Sequence, residues 1–155
     1  MAAQVNPIPE GYAGVTPYLI VRGGAAAIDF YKRAFGATEV YRLPMPDGRV
    51  GHAEVRVAGS VIMLADEFPE MGATSPAALG GTPVSLLIYV ADVDAVAARA
   101  VAAGAKVKRP VKDQFYGDRS GTFEDPFGHV WSIATRKENL TAEQIKQRMA
   151  AEHGQ

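Results

Sequence analysis

A histidine, a glutamate and an arginine occupy every second position of the segment GHAEVRV, residues 51–57. If this segment is a β-strand, His52, Glu54 and Arg56 lie on one face of the sheet, because successive side chains of a strand alternate between faces. A histidine exchanges protons near neutral pH, and a neighbouring carboxylate biases its tautomer and its charge. The pattern predicts a proton-transfer pair, His52 and Glu54, or a polar anchor for a ligand. The alternative is a solvated ladder of mutually paired side chains.

The segment GDRSGTFEDPFGHVW, residues 117–131, gathers a second set of charged side chains around a proline and several glycines. Residues 125–128, DPFG, match a type I turn, with Asp first, Pro second and Gly fourth. After such a turn, His129 and Trp131 point to the face opposite Ser132, towards the helix side of the sheet. We therefore interpret the segment as a hairpin turn with a structural His129.

Arg119 precedes this turn and offers different chemistry. Its guanidinium can hold a carboxylate or a phosphate through a bidentate contact, which makes an anionic ligand an option. The alternative is a salt bridge with Asp118, Glu124 or Asp125.

The composition excludes several classes of site and partner. The 155-residue chain has no cysteine, three histidines and a net charge of -1. Disulfides and thiolate chemistry are therefore excluded, and no basic face is expected for nucleic acid or an anionic membrane. We expect a cytoplasmic protein, since no segment resembles a signal peptide or a membrane span.

A weak internal repeat organises the chain. An apolar strand and an amphipathic helix that ends at Gly36 recur as a strand and a helix that ends at Gly104, with Asp92 or Asp94 as the second N-cap. Three strand-like segments follow each helix, at about 37–43, 49–57 and 60–65 and at about 105–113, 118–124 and 129–135. The basic run KVKRPVK, residues 106–112, reads as a solvated edge strand. Thr141 and Gln144 have capping-box spacing, which predicts a C-terminal helix.

The repeat, together with IDFYKRAFGA and EDPFGHVW, resembles the vicinal oxygen chelate superfamily of glyoxalases, bleomycin-resistance proteins and dioxygenases, and its PhnB-like branch in particular. The resemblance implies an α+β fold in which two βαβββ modules form a curved mixed sheet cup. It places one domain at residues 1–140, with module one at about 14–66, a linker at 67–82 and module two at about 83–136. Residues 141–155 form the C-terminal helix and tail. Homodimerisation is implied by the same resemblance.

Metal-dependent members of that superfamily carry ligands on the first and fourth strands of each module. The positions that correspond in this chain are Thr16, Met63, Ser85 and Ser132. Three hydroxyls and a thioether do not replace carboxylate and imidazole donors, so we expect no metal and no cofactor. An unorthodox set of His52, Glu54 and Glu124 is the alternative.

Strand alternation predicts which side chains line the cup. Tyr18 and Tyr116 are expected to stack on a ligand, to donate a hydroxyl or simply to pack, and Met63 to form an apolar wall. The predicted ligand-binding residues are Tyr18, His52, Glu54, Arg56, Met63, Ser85, Tyr116, Arg119, Thr122 and Ser132.

We therefore expect a protein that binds a small, partly apolar molecule, with an anionic group as an option, and that works without the metal. The alternative is an isomerase or lyase that uses His52 and Glu54 as acid and base, or as part of a rebuilt metal site. A structural module, its cup filled by its own side chains, is the third hypothesis. The sequence leaves open whether any reaction is catalysed.

Overall fold

A computed structural model describes residues 3–154 and shows two units with the same order of elements. In both units a strand, a helix and three further strands follow one another, as the repeat predicts. The first unit consists of β1 Tyr18–Val21, α1 Gly24–Phe35, β2 Thr38–Pro44, β3 Val50–Val57 and β4 Ser60–Asp66. The second consists of β5 Ser85–Tyr89, α3 Val93–Ala103, β6 Lys106–Asp113, β7 Asp118–Glu124 and β8 Val130–Arg136.

Two segments lie outside these units. The connection between β4 and β5 contains a 3-10 turn at Pro69–Met71 and a single helical turn, α2 Pro76–Leu79. The chain ends in α4 Ala142–His153, and the predicted capping box of Thr141 and Gln144 is present. The domain limits stay a prediction, and residues 1, 2 and 155, which they include, lie outside the described residues.

Both long module helices end where the sequence predicts. Gly36 follows α1 in the left-handed conformation, with φ 66°, and Gly104 follows α3 with φ 120°. Asp92, the first of the two predicted candidates, is the N-cap of α3 and accepts a hydrogen bond from the amide of Ala95 at 3.1 Å. Glycine is favoured at such helix ends because a side chain is strained at positive φ.

Each unit forms its own four-stranded mixed sheet. The strand orders are β1-β4-β3-β2 and β5-β8-β7-β6, in which the first pair of each sheet is parallel and the others are antiparallel. The predicted α+β class is confirmed, and β6, which carries the basic run, is an edge strand as predicted. Sheet one and sheet two denote these two sheets below.

One apolar core joins the two units. The helix-facing residues of sheet one, such as Ala53 and Val55, are buried in the same cluster as those of sheet two, such as Ile133, and as the inner faces of α1 and α3. The two helices pack against each other. Because the shared core lies on the helix side of both sheets, the opposite face of each sheet points away from it.

The turn at residues 125–128 fastens the second unit to the first. The amide of Gly128 donates to the carbonyl of Asp125 at 3.1 Å, as a type I turn requires. His129 lies within hydrogen-bond distance of the first unit, with 2.9 Å between its Nε2 and the carbonyl oxygen of Ile20. His129 therefore has the structural contact that the sequence predicts.

No helix within residues 3–154 is long and apolar enough to cross a membrane. The cytoplasmic location stays a prediction.

Candidate functional site

A row of side chains crosses sheet one on the face that points away from the core. Tyr18 pairs with Met63, Met63 with Glu54 and Glu54 with Tyr41, so these four positions lie side by side on strands β1, β4, β3 and β2. His52 lies two residues before Glu54 on β3 and shares its face. The structure thus brings together four of the predicted residues, and it adds Tyr41.

A hydrogen-bonded network connects the polar members of this row. The Tyr18 hydroxyl lies 2.8 Å from Nδ1 of His52, and Nε2 of His52 lies 3.2 Å from Glu54 Oε1. Tyr41 donates to the same carboxylate oxygen at 3.3 Å, and Tyr12 donates to the other one. A neutral His52 that carries its proton on Nε2 satisfies both of its contacts, with Tyr18 as donor to Nδ1.

Glu54 is the buried centre of the network, with only 6% of its surface exposed. Burial opposes ionisation, but the hydrogen bonds from Tyr12, His52 and Tyr41 outweigh it and hold the pKa of Glu54 below its usual value. Burial and the charge of Glu54 raise the pKa of Tyr18 and of Tyr41. The carboxylate is therefore an acceptor at neutral pH, and the phenols around it are donors.

The rings of the network form an open aromatic surface. The His52 ring centroid lies 5.5 Å from that of Tyr18 and 5.7 Å from that of Tyr41. Tyr18 and Tyr41 are 48% and 43% exposed, so their faces are accessible to a flat ligand. Arg56 lies on the same face, but it is exposed, and within residues 3–154 its side chain donates a hydrogen bond only to the Gly59 carbonyl, at 3.5 Å.

A second row crosses sheet two at the corresponding place. Leu87 pairs with Ser132, Ser132 with Thr122 and Thr122 with Arg109. The Thr122 and Ser132 hydroxyls lie 3.4 Å apart. Three of the predicted residues (Tyr116, Thr122 and Ser132) line a cavity of about 530 Å³ on this face.

Two cationic residues of this cavity, Arg109 and Lys112, were not predicted. The strand pairing shifts register between Val107 and Arg109, and again between Arg109 and Lys112. Strict alternation from the helix-facing Val107 would put Arg109 on the helix side, whereas its pairing with Thr122 puts it on the cavity face. Pro110, within the run, was the sequence signal for such an irregularity, because a proline inside a strand marks an edge or a bulge.

Arg119 and Ser85 do not line this cavity. The Arg119 guanidinium donates to Asp94 at 2.9 and 3.0 Å and to Asp113 at 3.3 Å. These bonds raise the pKa of Arg119 and occupy its donors. Arg119 therefore forms salt bridges, as the alternative prediction stated, but its partners are Asp94 and Asp113 and not the carboxylates that were expected. Ser85 is exposed at the start of β5, where it pairs with Val130.

The four positions that correspond to metal ligands do not fit a divalent ion. Met63 and Ser132 lie on the open faces of the two sheets, Thr16 precedes β1 and Ser85 begins β5. Within residues 3–154, no three His, Cys, Asp or Glu side chains converge closely enough to hold a metal, so His52, Glu54 and Glu124 are not brought together.

The sequence itself matches a known family over most of its length. A family model described as the Glyoxalase/Bleomycin resistance protein/Dioxygenase superfamily matches residues 13–133. The chain belongs to this superfamily. The resemblance predicted from the repeat and from the EDPFGHVW segment is confirmed.

Three similar proteins align along 78% or more of the chain. Uncharacterized protein Mb0911c of Mycobacterium bovis is 41% identical over 155 residues, which cover 98% of both chains. The solved structure of the Arabidopsis thaliana At5g48480 gene product has a TM-score of 0.65 and 30% identity, and covers 79% of this chain and 98% of that one. A PhnB protein from Bacillus cereus has a TM-score of 0.61, covers 78% of this chain and 98% of that one, and is 19% identical. The likeness to PhnB is thus a likeness of fold.

Proposed function

We propose that this protein binds a compact, partly apolar molecule against the open faces of its two sheets. One observation carries the proposal: exposed aromatic and apolar side chains surround a buried, hydrogen-bonded carboxylate on sheet one. Tyr18 and Tyr41 flank His52 there, while Glu54 beneath them is ionised and nearly inaccessible. Apolar surface beside convergent polar groups is typical of ligand sites.

Within residues 3–154, the sheet-one network and the cavity of sheet two share no residue. The residues that line the cavity of sheet two all come from the second unit, and the sheet-one network comes from the first unit together with Tyr12. Both faces point away from the shared core. We therefore propose a homodimer in which sheet one of each protomer is opposed to sheet two of its partner, giving two equivalent cavities with symmetry-related walls.

Exposed apolar residues on both faces support this arrangement. Leu43 on sheet one is 55% exposed, and Leu87 and Tyr89 on sheet two are 56% and 53% exposed. Burial of such side chains against a second protomer is favourable, at about 25 cal/mol for each Å² of apolar surface removed from water. Charge complementarity adds to it, since the open face of sheet one carries the carboxylate of Glu54 and that of sheet two carries the guanidinium of Arg109.

His52 and Glu54 act in this proposal as a preorganised polar anchor. Their mutual hydrogen bonds fix the imidazole ring, so the ring does not have to be ordered when a ligand binds. The isomerase or lyase alternative stays a prediction. An open cavity on sheet two does not favour a module that is filled by its own side chains.

Titration of the 15N-labelled protein with a panel of small probes tests the proposal. Benzamide, benzyl alcohol, benzoate and phenylphosphonate sample neutral and anionic polar groups on one aromatic ring. We expect probes to shift the amide resonances of β3 and β4, and Glu54→Gln and His52→Asn to weaken binding by about tenfold, the value of one hydrogen bond to a charged group.

Glu39→Gln is the matched control, because Glu39 is paired with Arg42 at 2.7 Å and lies outside the network. It removes a carboxylate from the neighbouring strand and should leave every affinity unchanged. If Glu54→Gln and His52→Asn bind all four probes as the wild type does, while their unfolding temperatures match it, the proposed site is wrong.

A further inference from the structure

Arg109 and Lys112 are cations without a carboxylate partner in the part of the chain that the structure describes. Five other arginines form ion pairs with acidic side chains: Arg22, Arg42, Arg49, Arg119 and Arg148. Other cations, such as Arg56 and Arg99, also form no ion pair among residues 3–154, but Arg109 and Lys112 are the ones that line the cavity of sheet two. Their charged groups can therefore contact a ligand that enters the cavity.

The backbone of β6 directs both side chains into the cavity. Arg109 pairs with Thr122 and Lys112 with Ser120, so three steps along β6 correspond to two along β7. Residues three apart therefore share a face, which a regular strand does not allow. Val111, between them, packs on the core side instead. A bulge re-aims side chains at the cost of ladder hydrogen bonds, and here it adds a positive charge to the cavity wall.

Hydroxyl groups surround the two cations. Tyr116, Ser120, Thr122 and Ser132 line the same cavity. They bond one another only at 3.4 Å, so each can rotate to donate to a ligand oxygen instead. Asp118 is the acidic residue of the lining, and its carboxylate is buried and accepts the Tyr89 hydroxyl at 2.6 Å. Two cations and one anion leave the lining with a formal charge of +1.

We propose that this cavity binds the anionic group of the ligand, a carboxylate or a phosphonate or phosphate, with Arg109 and Lys112 as the positive pole. Arg109 offers a planar fork of donors to two oxygens of the anion, and Lys112 adds a point charge. The hydroxyls of the lining donate further hydrogen bonds to the anion, and Leu87 contacts the apolar part of the ligand. This inference rests on the proposed function and specifies the class of ligand as small apolar acids.

The proposal also gives the opposed walls of the dimeric cavity different roles. Glu54 on sheet one is an acceptor for a donor group of the ligand, whereas the Arg109 side of sheet two attracts an anion. A ligand with an acid at one end and an apolar or donor group at the other fits such a site in one orientation. Orientation of this kind is what electrostatic complementarity supplies in recognition.

The affinities of benzoate, phenylphosphonate and neutral benzamide, measured by NMR titration of the intact protein, test this inference. Arg109→Gln and Lys112→Gln should each weaken binding of the two anions by about tenfold and leave benzamide unchanged, because a charge-assisted hydrogen bond is lost. Both side chains are exposed, so both variants should fold. Lys108→Gln removes a charge from the same strand outside the cavity lining and should have no effect.

Three outcomes overturn the inference. The first is equal loss of anion affinity in Lys108→Gln, which would reduce the effect to overall charge. The second is retention of anion affinity in the double variant of Arg109 and Lys112, and the third is the absence of anion binding by the wild type. Any of these three results, combined with benzamide binding that depends on His52 and Glu54, would overturn this inference and leave the proposed function intact, so the two failures are distinguishable.

Discussion

Asp125 accepts four hydrogen bonds although its side chain is almost fully buried. One oxygen accepts the amides of Phe127 and His129, both at 2.9 Å, which shapes the turn. The other accepts the Tyr31 hydroxyl at 2.6 Å and Trp131 Nε1 at 3.0 Å. A buried carboxylate is tolerated where donors of this number replace its water shell. Asp125 therefore stabilises the turn and joins helix α1 to sheet two.

Removing one donor tests how much the hydrogen bonds of Asp125 contribute to the stability of the protein. Tyr31→Phe deletes a hydroxyl that is buried with Asp125, and burial, followed by the charge of Asp125, raises the pKa of Tyr31 well above its ordinary value. We expect the free energy of unfolding in urea to fall by about 1.5–3 kcal/mol, the range for a hydrogen bond to a charged group.

Tyr89→Phe is the matched control for this substitution. It deletes the same chemical bond at the same distance, 2.6 Å to Asp118, but Tyr89 is 53% exposed. Water can replace the lost donor there, so we expect a loss of less than about 1 kcal/mol. Equal losses in the two variants would mean that burial does not set the strength of the Tyr31 bond.

The sequence predicts the turn around Asp125 but not the partner on α1. Turn type follows from the order Asp, Pro and Gly, which acts over four neighbouring residues. Tyr31 is 94 positions away, on a helix that the sequence predicts without indicating what it contacts. Such a long-range contact depends on how the two units dock, which local preferences do not encode.

At the scale of elements, Glu67 links the ends of β1 and β4 to the start of α2 through hydrogen bonds. It follows β4 and accepts a hydrogen bond from Nε of Arg22, just after β1, at 3.0 Å. It also accepts hydrogen bonds from the amide of Ser75, at 3.2 Å, and from the Ser75 hydroxyl. Ser75 is the N-cap of α2. Hydrogen bonds from Arg22 and Ser75, opposed by burial, lower the pKa of Glu67 to about 2. The connection between the two units is therefore held by a carboxylate that stays ionised in mild acid.

This shift predicts a pH-dependent stability. Since the pKa of Glu67 is lowered by folding, from 4.5 to about 2, its contribution is complete above pH 4.5 and is lost as the pH falls towards 2. We expect wild type to exceed Glu67→Gln in free energy of unfolding at pH 6, and the difference to shrink steadily below pH 4.5. Urea denaturation at a series of pH values measures it.

Glu70→Gln is the control, because Glu70 lies in the same connection, is exposed and has no side-chain partner among residues 3–154. The difference between wild type and this variant should be small throughout the series, because an exposed side chain without a partner contributes little to stability. A constant difference for Glu67→Gln across the series would show that its ion pair and hydrogen bonds do not depend on its charge.

The open-face side chains that the sequence did not predict lie on strands with an irregular register. Alternation placed the open-face side chains of β3 and β7 correctly, because β3 pairs with β4, and β7 with β8, without a register shift. It missed Tyr41 on β2 and Arg109 on β6, since both strands shift register just before these residues. The two shifts are equivalent by the internal repeat, so one seen in either unit predicts the other.

At the scale of the whole molecule, the two units share a backbone and differ in the chemistry of their open faces. Equivalent rows read Tyr18, Met63, Glu54 and Tyr41 on sheet one, and Leu87, Ser132, Thr122 and Arg109 on sheet two. The order of strands and helices and the glycines that follow the helices repeat, which is why the sequence predicts the fold. The open faces are free to differ because packing does not constrain them, so their roles require the structure.

A mixing experiment decides whether the cavity is built between protomers. One variant, Glu54→Gln with His52→Asn, lacks the anchor of sheet one, and another, Arg109→Gln with Lys112→Gln, lacks the cations of sheet two. In a dimer that opposes sheet one to the partner's sheet two, a mixed dimer has one cavity with both defects and one with neither. Random pairing of equal amounts therefore restores about one quarter of the wild-type sites.

We expect each variant alone to bind phenylphosphonate weakly, and the mixture, after unfolding and refolding together, to show high-affinity sites at about that fraction of the protein. Sedimentation equilibrium should show dimers in all samples. If the cavity were built within one chain, every site in the mixture would keep one defect and no high-affinity binding would appear. Restored binding in a sample that sediments as a monomer would contradict the opposed-sheet dimer, because a monomer of either variant has no intact pair of walls.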